Sequence, residues 1–244
     1  MPLSEGDAMV EWRRERIERT YRPGEGHEAR HGMLSSTLLR LIREEPLRER
    51  AVLDVGCGNG RLTFALAEEA GRIIGIDWSE QAIEQANRHA RSLSLDHISF
   101  VCGDAEQIDY GELGPIDLVV AHLCMSDEII RRAAAVLAPG RCLAFSTLHR
   151  DQWKESGRSS RFAYGERDAE TALTAAGFDP VYLEAEHEVL FFTAAADALA
   201  YMEALDLIGK WKTDSRWKGF LAYLERGGRE LTIRARVTVK ARRR

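Results

Sequence analysis

Residues Ala51–Arg61 read Ala-Val-Leu-Asp-Val-Gly-Cys-Gly-Asn-Gly-Arg, a short apolar run that passes into three glycines spaced two apart. Five residues are too few for a helix, and a nearly continuous apolar run is the pattern of a strand buried on both faces. Glycines at 56, 58 and 60 let the chain turn sharply at the strand exit and approach a ligand with no Cβ in the way. The helix expected over Leu62–Ala70 would add unpaired N–H groups at its start. The spacing discriminates between nucleotides. A dinucleotide fingerprint, G-x-G-x-x-G, needs glycine at position 61, which is Arg61.

Outward from this loop the chain alternates. Arg72–Asp77 is a second buried strand, and Ser79 then caps a helix to about Ser92, with Glu80 in its first turn where the helix dipole favours an acid. Ile98–Cys102 and Ile116–His122 read as further strands, Asp127–Leu137 as a helix closed by Pro139-Gly140, Arg141–Thr147 as a fifth strand and Glu166–Ala176 as a helix ended by Gly177. Strands separated by helical segments predict right-handed β-α-β units: a doubly wound α/β, Rossmann-like fold with a mostly parallel sheet covered on both faces. Val181–Phe192 and Glu230–Ala241 break the rhythm and are expected to be two antiparallel edge strands, with a helical insertion at about 194–227 between them. Ahead of the sheet domain, which starts at about residue 47, Met1–Pro46 is expected to form two helices, Asp7–Tyr21 and Ala29–Arg43, packed as a lid over the site.

Asp54 adds negative charge two residues before the first glycine. That suits a ligand carrying an ammonium and a sulfonium better than a pyrophosphate, and it points away from NAD and toward S-adenosyl-L-methionine. With this acid-plus-three-glycines loop the chain resembles the class I S-adenosylmethionine-dependent methyltransferases. The resemblance extends to Asp77 at the end of the second strand, Gly103-Asp104-Ala105 after the third, Asp117-Leu118-Val119 at the fourth and Leu137-Ala138-Pro139-Gly140 before the fifth. It implies a seven-stranded sheet with an antiparallel last strand. It further implies that Asp77 binds the ribose hydroxyls and Asp104 lies by the adenine. The cofactor set expected is then Asp54, Gly56, Cys57, Gly58, Asn59, Gly60, Asp77, Trp78, Gly103, Asp104, Ala105 and His122.

For catalysis the expected residues are His122, at the exit of strand four, and His149, after strand five; a carboxylate acceptor, being ionised near neutral pH, would need no base. The loop after strand four, His122-Leu123-Cys124-Met125, lacks the N-P-P-Y-like motif of nucleic-acid amino-methylating enzymes, and no Pro-Cys nucleophile or metal-binding carboxylate pattern is present. The second half of the chain resembles the biotin-pathway malonyl-carrier-protein O-methyltransferase branch, although that branch's G-S-L-x-E-L-like run is here His149-Arg150-Asp151-Gln152-Trp153-Lys154. The expected acceptor is accordingly a small molecule or a carrier-tethered group, with a carboxylate as one option. Arg150, Arg158 and Arg161 are placed to neutralise it, and Tyr21, His31 and Trp211 are expected, by position, as lid residues over the substrate.

Composition agrees with an enzyme of this kind. The 244 residues are 45% apolar and 30% charged with a net charge of −5, against a chain that wraps nucleic acid over its whole surface. Cys57, Cys102, Cys124 and Cys142 form no C-x-x-C pair, so no metal site is expected from them. No run approaches the roughly 20 apolar residues of a membrane helix, so a cytoplasmic location is expected. The clustered cations Arg234, Arg236, Lys240, Arg242, Arg243 and Arg244 leave open an RNA or protein acceptor, and a non-catalytic S-adenosylmethionine-binding module is a further alternative. The oligomeric state is not legible.

Overall fold

Ala51–Val55 (β2) lies inside the sheet, paired in parallel with Arg72–Asp77 (β3) on one side and Leu118–His122 (β5) on the other. In this computed structural model, which describes residues 11–22, 33–205 and 208–244, Ile98–Cys102 (β4) flanks β3. Beyond β5 come Cys142–His149 (β6), Glu230–Arg243 (β9), Phe178–Phe191 (β8) and Glu11–Thr20 (β1), for the order β1-β8-β9-β6-β5-β2-β3-β4. Ala163–Tyr164 (β7) pairs with the end of β6. Only β9 runs antiparallel to its neighbours among the described strands. The chain leaves β2 toward β3 but continues from β5 toward β6, so the carboxyl ends of β2 and β5 diverge at a topological switch point, where open α/β sheets hold their ligands.

Alternation along each strand divides the core between the two faces. Leu53, Val55, Ile76, Val119 and Phe145 pack with Asp127–Val136 (α4) and Glu166–Ala175 (α5); Val52, Ile73, Leu118 and Val120 pack with Ser36–Arg43 (α1) and Arg61–Ala65 (α2). All of these strand residues are buried, and each contributes on the order of 2 kcal/mol relative to exposure. Helix starts follow the capping chemistry. The Ser79 hydroxyl accepts from Ala82 N–H at the start of Glu80–Ser92 (α3), and the Ser126 hydroxyl accepts from Ile129 N–H at the start of α4. A third apolar cluster joins Ala195–Ala204 (α6), Ile208–Thr213 (α7) and Arg216–Glu225 (α8) around Trp211, Phe220 and Met202.

Several expectations change. The helix expected over Asp7–Tyr21 is, across the described part, the strand β1. Its only apolar residues are Trp12 and Ile17, which make no helical stripe, whereas the edge of β8 offers unpaired backbone groups that a strand satisfies. Arg14 and Arg19 then pair with Glu166 and Glu188, so charge as well as the ladder holds β1. β8 is consequently covered, and β9, between β6 and β8, is not an edge strand either. The second expected N-terminal helix is α1, shorter than predicted; residues 29–32 lie outside the described ones. The described residues of the insertion form three helices, and α2 is only five residues long.

The basic C-terminal stretch is not an open patch. Lys240, 4% exposed, donates to Leu41 O and Glu44 at 3.0 Å and pairs with Glu45 at 2.8 Å; Arg242 pairs with Glu45, Arg234 with Glu186 and Arg244 with Asp179. Arg243 donates to the carbonyls of Ala134 and Gly177. No helix among the described residues is long and apolar enough to cross a membrane. Glu45→Ala takes a partner from both Lys240, which keeps Glu44 and Leu41 O, and Arg242, and is expected to destabilise the fold by about 2 kcal/mol in urea titration; Lys240→Met, which leaves Glu45 paired with Arg242, is expected to cost less.

Candidate active site

The loop after β2 is shaped by its glycines. Gly56, Gly58 and Gly60 have φ of +69°, +55° and +89°, in the left-handed region. A Cβ on Gly56 would lie 2.3 Å from the Cys124 Cβ, whereas one on Gly58 meets nothing within 4 Å and would project into open space. Asp77, at the end of β3, fastens the loop: its carboxylate accepts from Gly58 N–H at 2.8 Å and from Ser79 N–H at 2.9 Å. Each oxygen keeps a lone pair for a further donor.

Two cavities follow this loop. An outer one of about 590 Å³ is bounded by Asp77, Trp78, Asp104, Ala105, Ile129 and Arg161. An inner one of about 250 Å³ is bounded by Asp54, Gly58, Asn59, Arg61 and Leu34. Gly56, His122 and Leu123 line both. The Trp78 ring is 79% exposed at the rim, a large apolar face with no protein cover. Asp54 is fully buried, accepts a hydrogen bond from the Thr63 hydroxyl at 2.6 Å, and has its pKa pushed up to about 6 by that burial, with nearby Asp77 adding to the shift. A cationic group entering the inner cavity would stabilise the ionised form.

A third cavity of about 500 Å³ meets the other two at Leu123 and shares Arg161 with the outer one. Leu123 has φ +62°, a strained backbone for a branched side chain, and its N–H donates to Ser146 O at 2.7 Å. Apolar surface from Leu148, Trp153 and Trp211 lines this chamber, together with five cations, Arg158, Arg161, Lys210, Arg216 and Arg236, against one acid, Asp214. Arg236 is 2% exposed; burial and Arg234 draw its pKa down to about 10, so it stays charged at neutral pH. The wall after β6 is docked by buried polar groups. Gln152 donates to Ile233 O and accepts from Ala235 N–H and Arg236, and Thr232 donates to Glu155.

His122 stands between the cavities. Burial first, then Arg236, Arg61 and Arg234, pull its pKa down to about 4, so the imidazole is neutral at physiological pH. Its Nε2 is buried with no hydrogen-bond partner among the described residues. Burial, with Asp54 and Asp77, pushes the Cys57 thiol far above its ordinary pKa, consistent with a small loop residue and not a nucleophile.

Of the expected cofactor residues, all but Gly60 and Gly103 line these cavities. Gly60 starts α2, and the Gly103 N–H donates to Asp77 O. Arg161 and Trp211 line the chamber, as does Arg158. Arg150 does not; it pairs with Asp168 at 3.1 Å. Tyr21 packs on Phe192 and Tyr201 and lines none of the three cavities, and His31 lies outside the described residues. His149 also lines none of the three cavities; it is held by Glu166 and His187. Leu123, Gln152, Lys210 and Arg236 were not expected. Arg236 reads in the sequence as the polar phase of an alternating strand, and only the tertiary fold turns it into a chamber wall.

A family model described as a methyltransferase domain matches residues 48–190. Ubiquinone biosynthesis O-methyltransferase from Coxiella burnetii is 32% identical over 125 residues, 49% of this chain and 53% of that protein. The chain spans about half the length of the curated relatives it matches. Among solved structures, the YcgJ protein from Bacillus subtilis superposes with a TM-score of 0.62 at 14% identity, over 85% of this chain and 98% of that one. Magnesium protoporphyrin IX methyltransferase from Synechocystis PCC 6803, solved with bound SAH, gives 0.56 at 16% identity, over 86% and 80%. At those identities the structures establish the fold.

The two glycines separate packing from ligand space. Gly56→Ala, which overlaps Cys124, is expected to lower stability by about 2–3 kcal/mol. Gly58→Ala is expected to cost only about 1 kcal/mol of backbone strain while obstructing the groove. Thermal denaturation of the two variants compares them directly.

Proposed function

The chain belongs to the methyltransferase-domain family, and from that premise we propose that it transfers a methyl group from S-adenosylmethionine to a small acceptor carrying an anionic group. The observation that carries this reading is the meeting of three cavities at Leu123, with acids on the glycine-loop side and cations on the other. The residues fit the proposed cofactor. Asp54 suits its ammonium, Arg61 its carboxylate, Asp77 its ribose hydroxyls, and the Trp78 ring and Ala105 its adenine. Gly58, with open space where a Cβ would stand, allows close approach to the backbone. Bound in this way, S-adenosylmethionine supplies a methyl group made electrophilic by its sulfonium.

The chain's own part is position and field. An in-line displacement gains most from holding donor and acceptor about 3 Å apart. The apolar wall of Leu123, Leu148 and Trp211 holds the body of the acceptor, and Lys210, Arg158, Arg161 and Arg236 keep its acid ionised. An ionised acceptor needs no strong base. His122, neutral and with a pKa near 4, is a poor proton acceptor, and it stands at the border of the site as a neutral wall and not as a base. Residues 33–35, through Leu34 at the inner cavity, and α7, through Lys210 and Trp211 at the chamber, exclude water from the reacting atoms. The relatives named as O-methyltransferases support an oxygen acceptor, in keeping with a carboxylate, free or carrier-tethered. The bound SAH of the Synechocystis protein supports the cofactor.

Isothermal titration with S-adenosylhomocysteine is expected to give one site per chain, lost in Asp77→Ala; absence of binding at millimolar ligand contradicts the reading. Because Asp54 is ionised only above about pH 6 in the free protein, affinity is expected to be full at pH 7 and to fall about tenfold by pH 5. Asp54→Asn should bind weakly at both pH values and remove the dependence. On the acceptor side, Lys210→Glu is expected to raise KM for an acidic acceptor about tenfold or more while leaving S-adenosylhomocysteine affinity unchanged. An equal effect on an uncharged acceptor would contradict the anionic assignment.

A further inference from the structure

Three potential ligand atoms converge outside the methyl-transfer cavities. His149 closes β6, Asp151 follows in the next turn, and His187 lies in β8 opposite Ala235 of β9. His149 Nδ1 and His187 Nε2 are 3.2 Å apart, and Asp151 Oδ2 lies 3.2 Å from the latter and 3.7 Å from the former. A tetrahedral zinc ion with bonds of about 2.0–2.1 Å separates its ligand atoms by about 3.3–3.4 Å. The three atoms therefore mark out, to within about 0.4 Å, one face of such a tetrahedron.

The surroundings set the protonation the site requires. Glu166 Oε2 lies 3.1 Å from His149 Nε2 and accepts its proton, which fixes the tautomer and turns the Nδ1 lone pair toward His187. The other Glu166 oxygen is taken by Arg14 at 3.2 Å, so the carboxylate is held in place. A carboxylate behind a ligating imidazole is the usual support of a histidine-bound metal. His149 is 7% exposed, whereas the Asp151 side chain is 42% exposed and leaves the cluster open to solvent on one side.

We propose that His149, Asp151 and His187 form a three-ligand site for a divalent cation of the zinc class. Binding at His187 Nε2 needs that ring's proton on Nδ1, a shift between neutral tautomers with no net proton lost. The Asp151 N–H, which donates to His149 Nδ1 at 3.0 Å, must give up that nitrogen's single lone pair to the ion, and the lost hydrogen bond keeps the affinity modest. A fourth position remains for water. The ion would tie the turn after β6 to β8. The residues following that turn, Gln152, Trp153, Arg158 and Arg161, wall the acceptor chamber, so the metal would act as a structural clip on that wall and not in the chemistry.

The test uses the full-length protein stripped with a chelator, then dialysed against zinc(II), with bound metal and Tm measured. The proposal predicts one zinc per chain and a Tm raised by about 5–10 °C at a hundredfold excess over the dissociation constant. His187→Gln should abolish the zinc-dependent rise. Asp151→Asn, at a half-exposed position that does not endanger the fold, should weaken binding at least about tenfold. Failure of the parent protein to retain zinc overturns the proposal, as does retention with the same Tm rise in both folded variants.

Discussion

Both oxygens of the Asp77 carboxylate accept backbone N–H groups, from Gly58 on one side and Ser79 on the other, and the site takes its shape from this pair of bonds. Parallel register sets Val55 beside Ile76, so the loop leaving β2 and the turn leaving β3 emerge together. Cys57 N–H donates to Ile76 O at 2.9 Å, and the left-handed glycines bend the chain back under the carboxylate. Gly56 then meets Cys124, the neighbour of the strained Leu123 at which the cavities join. A loop set by two hydrogen bonds thus fixes the exit of β5 and, through it, the entrance to the cationic chamber.

The electrostatics divide along the same line. Asp54 and Asp77 make the glycine side acidic, and burial of Asp54 is only partly offset by its hydrogen bond from Thr63. Across Leu123 the chamber is cationic, and burial, with the field of Arg236, Arg61 and Arg234, keeps His122 neutral at the border. In the proposed reaction a sulfonium on the acidic side and an anion on the basic side would lose opposite charges as the methyl group moves between them. Cations that in the sequence resemble a nucleic-acid tail serve this arrangement or the fold. Arg236 faces the chamber, and Lys240 and Arg242 bind α1 to the sheet through Glu45.

Much of this was legible in the sequence because it depends on local chemistry. Buried parallel strands are continuous apolar runs, serine caps mark helix starts, and the D-x-G-x-G-x-G spacing separates one nucleotide loop from another. All seven expected strands are present, and the expected cofactor residues other than Gly60 and Gly103 line the two cavities at the glycine loop. The parts that were not legible depend on tertiary pairing. Glu11–Thr20 has no apolar periodicity of either kind and became a strand because β8 had an open edge. His149 looked like a base beside the methyl group, but its ring turns to Glu166 and His187 across the sheet, a direction that no spacing along the chain encodes. The chamber cations come from segments distant in sequence, 158–161, 210–216 and 236, and only their shared cavity reveals the common purpose.

The most direct test of the account is a crystal structure of the protein with S-adenosylhomocysteine. The account predicts the ribose hydroxyls on Asp77, the amino group at Asp54, the adenine beside Trp78 and Ala105, and the sulfur facing the cationic chamber past Leu123. A ligand seated elsewhere, or one whose sulfur points away from Arg161 and Lys210, would contradict it.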